Sequence, residues 1–358
     1  MTSYNAGYTQ LIRKGRRAHW GNWALSAQIQ PGAVGVVDPE TGEFTLVEEQ
    51  IPGAQIQTRQ QPTRWELMSE HVSRQQGNVS LDGSATDPET GTKVTAGLEV
   101  KWGLEKSGSM ISEFSLGSEA VLVGFGELLN RQYDWLKKAA ASQGMSRNGG
   151  GISQGFGVVT SVLWANSGLN VAAQSDDTTF SVTGSVSGVN ELVGQAEGKG
   201  SYSSATSDKS VDKHIWPDQA ATLAEAAIPI AYTFASFDGQ LIIPNWTTEV
   251  GSFQLVLNNQ HGGTYIVKAN LGYDTPQGRR SQEASVSGGL ISTLGAIPLN
   301  ATNLSLDLAF KGVFSDEHKS FKWNTPLGTW YDGKRHIDLS GVWPGQTDAV
   351  DAEASLRP

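Results

Sequence analysis

Cysteine is absent from the 358 residues, which removes disulfides, thiolate metal sites, cysteine nucleophiles and cysteine lipidation together. No run of about 18 apolar residues occurs, so no transmembrane helix is expected. The opening Met1-Thr-Ser-Tyr-Asn-Ala-Gly-Tyr8 has no charged region followed by an apolar core. A standard secretory signal is therefore not expected, and the chain is read as soluble, either cytoplasmic or released by another route before meeting a target membrane. Catalytic patterns are also scarce. Histidines at 19, 71, 214, 261, 318 and 336 form no metal-ligand spacing. Asn148-Gly-Gly-Gly-Ile-Ser-Gln-Gly-Phe-Gly157 lacks the Walker lysine and reads as a connection, and Asp176-Asp177 has no apolar frame to raise a carboxyl pKa. No enzyme activity, metal or cofactor is expected.

What is present points to β structure. With 38% hydrophobic and 17% charged residues the chain is globular, and its 42 glycines with many Ser and Thr suit strands and turns. A net charge of -10 disfavours nucleic acid as a partner. The one basic segment, Leu11 to Trp20, sets Arg13, Lys14, Arg16 and Arg17 beside Trp20. That composition suits acidic lipid headgroups, and equally a solvated turn.

Asp-Pro-Glu-Thr-Gly occurs at Asp38 to Gly42 and again at Asp87 to Gly91, with the residues a tight hairpin turn needs. The first copy joins Val34, Val36 and Val37 to Phe44, Leu46 and Val47. The second joins longer arms, with Val79 and Leu81 before it and Val94, Ala96, Leu98, Val100, Trp102 and Leu104 after it at alternate positions. Such a strand has the length to cross a membrane barrel, and also reads as a half-buried strand of a soluble sheet. A second alternating region includes Leu169, Val171, Phe180, Val182 and Val186. Helices are expected at about 63–72 from a capping-box pattern, at about 118–144, and at 219–226. After Asp238 to Pro244 the chain turns to short strands between Gly and Pro turns. The fold class is α+β: a twisted antiparallel sheet with flanking helices over 1–243, then an all-β sandwich over 244–358.

The order of a basic start, a hairpin, the long hairpin Gly77 to Leu104, the link Glu113-Phe-Ser-Leu116, a helix, a second long hairpin and the Trp216 to Phe237 exit resembles the gasdermin pore-forming fold. That fold belongs to the wider group with perforin-like proteins and cholesterol-dependent cytolysins. The resemblance implies two hairpin regions that extend into a transmembrane barrel, with Val79, Leu81, Val94, Ala96, Leu98, Val100, Trp102, Leu104, Leu169, Val171, Phe180, Val182 and Val186 on the inserting strands. It also implies acidic-lipid binding by the basic start.

The last third resembles the membrane-recognition sandwich of cholesterol-dependent cytolysins through His261 to Asp274, Ser292 to Leu299, Asn303 to Leu308 and His336 to Gly345. By that likeness Phe310, Phe314 and Trp343 would meet the membrane. The Trp-rich undecapeptide is replaced by Ala309 to Phe314, and no Thr-Leu pair precedes Pro344, so the implied partner is a membrane lipid, acidic or sterol, or a surface receptor or glycan. Homo-oligomers on the membrane are implied as well. Two other classes remain open: a non-lytic lectin or adhesin using Trp323, Trp330, Tyr331 and Trp343 to stack on sugars, and a structural subunit of an extracellular assembly.

Overall fold

The computed structural model describes residues 3–61, 64–81, 86–261, 265–311, 316–342 and 346–354. The chain forms two compact units, 1–15 with 19–235 and 16–18 with 236–358. In the first, α1 (Tyr4–Arg13) precedes β1 (His19–Gly21), β2 (Val34–Val37), β3 (Phe44–Glu48), β4 (Ile56–Gln60), β5 (Arg64–Met68), β6 (Val72–Ser80), β7 (Ala96–Leu104) and β8 (Met110–Leu122). Then come α2 (Phe125–Arg131), α3 (Tyr133–Ser142), β9 (Phe156–Ala173), β10 (Thr178–Ser185), α4 (Val186–Leu192), β11 (Ser204–Ser207), β12 (Val211–Trp216) and β13 (Ile228–Asp238).

Strand β9 is the spine. Its 18 residues are buried almost throughout, because both faces of the main sheet are covered. One half lies between β8 and β12, with β5 and β4 outside β8, and the other half carries β2–β3 and β13–β1. Gly168 sits where β8, β9 and β12 meet; its φ is +152°, and a Cβ there would stand 2.1 Å from Phe114 Cδ1. Beneath one face, α1 packs Tyr8, Leu11 and Ile12 against Trp23, Trp65 and Phe114. A separate four-stranded sheet, in the order β11-β10-β7-β6, covers the other face.

Both Asp-Pro-Glu-Thr-Gly turns close alike. Asp38 Oδ1 accepts from the N–H groups of Glu40 and Thr41 at 2.8 and 2.9 Å, and Asp87 Oδ1 from those of Glu89 and Thr90 at 3.0 Å. Gly42 and Gly91 follow at φ +70° and +68°, the left-handed conformation that glycine takes without strain.

The helices differ from expectation. Residues 64–68 of the expected 63–72 helix form β5, since Trp65 and Leu67 both face the α1 side and the ladder to β8 satisfies the backbone that a capping box would have served; Pro62 and Thr63 lie outside the described residues. Of the expected 118–144 helix, 118–122 belong to β8, where Leu122 pairs with Ile56 and Val121 with Ser161. Gly124 at φ +59° starts α2, and the helical run ends at Ser142, before Gly144 at φ +71°. Residues 219–226 form no helix. Ala221 has φ +59° and donates its N–H to Tyr202 O, while Trp216 Nε1 donates to Ala226 O. The helix α4 was not foreseen.

The second unit has β14 (Leu241–Ile243), β15 (Phe253–Asn258), β16 (Ile266–Thr275), β17 (Gly278–Ser287), β18 (Ile291–Ile297), β19 (Thr302–Lys311), β20 (Glu317–Trp323), β21 (Lys334–Ser340) and β22 (Asp348–Asp351). Two sheets result, β18-β15-β21-β22 and β17-β16-β19-β20. Their central strands alternate buried and exposed residues, as a sandwich requires: Leu255, Leu257, Leu271, Leu306, Leu308 and Ile337 are inside. The pair β15–β21 is parallel.

Candidate functional site

The four-stranded sheet, here the leaf, is the main sheet folded back on itself. Strands β8 and β9 are antiparallel neighbours with Met110 opposite Ala172, and β7 and β10 are neighbours with Leu104 opposite Thr178. Residues 105–109 and 173–177 lie between those pairs, equal in number, so the central strands keep one register through the bend. On the flanks, residues 69–71 face 105–110 between the Met68–Ile111 and Val72–Leu104 pairs, three against six. Residues 208–210 face 174–179 between the Val211–Ala173 and Ser207–Phe180 pairs, again three against six. The two halves therefore share one crease.

The backbone at the crease is tied across. Glu105 N–H donates to His71 O at 3.1 Å, and Asp177 N–H donates to Glu105 O at 3.1 Å. His71 and Asp177 have φ +64° and +50°, a region that disfavours residues with a Cβ by ~1–2 kcal/mol and in which Asp is tolerated better than most. Valine at both positions, being β-branched and worse tolerated at positive φ than His or Asp, is expected to loosen the leaf by roughly 1 kcal/mol or more. Amide exchange in 97–104 and 178–185 then rises about tenfold while 111–121 is unchanged; equal exchange in both segments would contradict a hinge there.

The large side chains that β7, β10 and the main sheet bring to the seam are apolar, with one charged exception. Leu98, Val100, Trp102 and Leu104 from β7 and Phe180 and Val182 from β10 pack on Ile111, Leu169 and Val171 of the main sheet, each at most 4% exposed. Trp102 and Phe180 stack with centroids 5.8 Å apart. Each such side chain contributes ~1.5–3 kcal/mol to closure. The outward face carries Glu99, Lys101, Thr179, Ser181 and Thr183. The thin apolar face of these strands thus has a soluble partner. The exception is Glu113 of β8, fully buried, which accepts from Trp102 Nε1 at 2.9 Å and Arg74 Nε at 3.1 Å. Neither Glu113 nor Arg74 was singled out from sequence; the available signal was a carboxylate at an inward position of an alternating strand, two residues from Ile111.

Other residues fall elsewhere. Val79 pairs with Gly97 and so lies on the opposite face from Leu98, whose partner is Asn78; Arg74, Gln76 and Asn78 share the face of Trp102, Val100 and Leu98. Leu81, held by its N–H to Thr95 O, lies over Gly97 on Val79's side. Ala96 is exposed at the start of β7, and Val94 precedes that strand, half-buried. Leu169 and Val171 belong to the surface that receives the leaf. Val186 opens α4 and is 43% exposed.

The basic segment is not one surface patch. Trp20 is buried, with the Arg13 guanidinium 4.1 Å from its ring centroid, and burial pushes the Arg13 pKa down to about 10. Arg13 Nε donates to His19 O at 3.0 Å. Lys14 is exposed, Arg16 is half-buried, and Arg17 lies 5.8 Å from the Tyr331 ring. Arg13 and Trp20 are therefore interior residues, unavailable to a headgroup.

In the sandwich Phe310 points inward, edge-on to Tyr265 at 5.5 Å, because it continues the buried phase of Leu304, Leu306 and Leu308. Phe314 and Trp343 lie outside the described residues. Trp330 is 2% exposed between Phe253 and Trp323, so it offers no sugar-stacking face; Trp323 is half-buried against Phe321. One end of the sandwich does expose apolar side chains: Ile266, Leu290, Ile291 and Val342 are 48, 58, 51 and 56% exposed. The register brings them together. Ile266 pairs with Ser287, the turn to Ile291 connects the sheets, Ile291 pairs with Asn258, and Tyr265 Oη donates to Ser340 O. Sequence reasoning missed them; the available signal was the apolar pair Leu290-Ile291 directly after the Gly289 turn, whose φ is +80°.

Among the described residues no group of three or more His, Asp or Glu is placed to hold a metal ion. Gly151-Ile-Ser-Gln-Gly155 has Gly-x-Ser-x-Gly spacing, but it runs from a turn into strand β9, whereas a nucleophile elbow turns from strand to helix.

No family model matches the chain, and no curated protein matches it in sequence. Among solved structures the chain is similar to a disulfide-locked mutant of intermedilysin with human CD59, at 10% identity over 93% of this chain and 86% of that one, with a TM-score of 0.21. It is also similar to a Gram-negative toxin, at 10% identity over 92% and 86% of the two chains, with a TM-score of 0.21.

Proposed function

We propose that this chain is a pore-forming protein whose leaf opens at the crease and supplies two hairpins per subunit to a transmembrane β-barrel. The observation that carries the reading is the unbroken register of β7–β10 with β8–β9, because opening then lengthens existing strands without re-pairing them. The nine residues of β7, at ~3.3 Å each and tilted, approach the ~25 Å apolar band of a barrel. Leu98, Val100, Phe180 and Val182 exchange the seam for lipid, while Lys101, Ser181 and Thr183 face a wet lumen. Arg74 and Trp102 lie next to the crease, at the headgroup level that both side chains favour. Among the described residues the leaf ends in two unpaired edges, β6 and β11, which hydrocarbon does not tolerate, so insertion requires closure with further copies. The exposed Ile266, Leu290, Ile291 and Val342 suit first contact with a lipid surface or receptor, which makes the sandwich the recognition unit.

Vesicles of phosphatidylserine, phosphatidylcholine and cholesterol loaded with dye test the reading. Dye release is expected, with residues 72–104 and 178–207 protected from added protease until detergent is present. Vesicle-bound protein that releases no dye and is cut in both segments would refute it.

A further inference from the structure

Glu113 is a costly residue to place in the seam. Its Oε1 takes both available donors, and its Oε2 is buried without a hydrogen-bond partner among the described residues. A carboxylate removed from water loses several kcal/mol of hydration, which a single cation repays only when every lone pair is satisfied. Arg74, its counter-ion at 3.1 Å, is shared with other groups and partly open to solvent. Its side chain is 18% exposed, its Nη1 donates to Gln76 Oε1 at 3.2 Å, and its guanidinium stands 6.0 Å from the Trp102 ring centroid.

The surroundings offer little else. On β5, Glu66 is the cross-strand partner of Glu113 and is itself bridged to Arg64 at 2.6 Å. Strand β6 contributes Arg74, and β7 contributes the Trp102 N–H. Strand β9 brings Leu169, β10 brings Phe180 and Val182, and α4 brings Val189 and Leu192, none of them charged. Among the described residues the carboxylate therefore bonds to one part-exposed arginine and one indole N–H, with the Glu66–Arg64 pair beside it on β5 and apolar side chains from β9, β10 and α4 around it.

We propose that Glu113 is a charge-loaded release for the leaf: ionised, it opposes closure and fixes the register in which the leaf closes; neutral, it allows the seam to tighten. Opening the leaf returns the carboxylate to water, so ionisation favours the open form by the hydration regained. The consequence for acidity has a definite sign. Burial holds the Glu113 carboxyl above the ordinary carboxylate range, outweighing the opposite pull of Arg74 and of the Trp102 N–H. The closed leaf thus binds the proton more tightly than an open leaf with a hydrated carboxyl. Closure gains stability as pH falls and loses it as pH rises through the raised value. Neutral surroundings prime the leaf, and acidic ones hold it shut.

The role of this release rests on the pore reading, but its test needs only the full chain in solution. Amide exchange, corrected for the intrinsic pH dependence of the chemistry, is compared at about pH 5 and about pH 7.5 in segments 97–104 and 178–185. The natural protein is expected to be better protected at the lower pH, by about tenfold. Glu113→Gln should be equally protected at both. Arg74→Met, which leaves the carboxylate and strips its cation, should loosen the leaf at the higher pH and steepen the pH dependence. A leaf that exchanges faster in acid, a Glu113→Gln leaf that keeps the natural pH dependence, or an Arg74→Met leaf identical to the natural one overturns the proposal. Dye release from vesicles separates the two ideas. Release by a protein whose leaf is indifferent to pH sinks the charge-loaded release alone; a pH-sensitive leaf without release sinks pore formation alone.

Discussion

Trp102→Ala is expected to detach the leaf in solution. The indole is fully buried, stacked on Phe180 and hydrogen-bonded to Glu113, so truncation removes the largest contact in the seam and one of two donors to a buried carboxylate. A tryptophan-sized cavity costs ~3–5 kcal/mol, and a charge deprived of a hydrogen bond adds ~1–3 kcal/mol. Set against a whole-domain stability of ~5–15 kcal/mol, that is enough to populate an open leaf. Limited proteolysis reads it directly: cleavage should appear within 72–104 and 178–207 while the main sheet stays intact. Trp102→Phe loses the N–H and one of the two fused rings but keeps an aromatic ring in the seam, so it should be cut more slowly than Trp102→Ala. Equal resistance of the natural protein and Trp102→Ala would show that the seam does not hold the leaf.

Arg335→Ala is expected to release the final strand of the sandwich. Arg335 is 7% exposed; its Nη2 donates to Asp351 Oδ2 at 2.7 Å, and its Nε lies 3.7 Å from Glu353. Trp323 Nε1 also donates to Asp351 at 3.3 Å, and His336 Nδ1 lies 2.7 Å from Glu353 Oε1. Removing the guanidinium takes the cation from Asp351 and Glu353, both nearly buried, and breaking a buried pair from one side costs ~3–5 kcal/mol. The melting temperature of the sandwich should fall by roughly 10–20 °C, with β22 the first segment to lose amide protection. Arg335→Lys supplies charge without the fork and should recover only part of the loss. An unchanged melting temperature would mean that the network contributes nothing.

Local chemistry was the most legible part of the sequence. The two Asp-Pro-Glu-Thr-Gly turns form as read, because an Asp side chain, a preset Pro φ and a left-handed Gly act within five residues. The alternation of Leu98, Val100, Trp102 and Leu104 was equally plain. What failed depended on partners far along the chain. Thr63-Arg-Trp-Glu66 carries a helix-start pattern, yet Trp65 pairs with Phe114, and the ladder prevails over the cap. Val79 and Leu81 alternate as a strand should, but alternation does not give phase; pairing with Gly97 turns Val79 away from the seam. Phe310 was misread although its phase with Leu304, Leu306 and Leu308 marks it as interior. Glu113 was passed over within a linking segment, since one carboxylate acquires meaning only when Arg74 and Trp102 are brought to it.

The ladder between β7 and β10 has one more consequence. Eight residue pairs, from Thr178 with Leu104 to Ser185 with Gly97, bind the two hairpins to each other as firmly as each is bound within itself. Neither hairpin can depart while its neighbour stays without breaking that ladder. On the proposed pore reading, release is therefore indivisible: a subunit would commit both hairpins or none, and a barrel would grow four strands at a time, with no half-committed member to leave a gap in its wall.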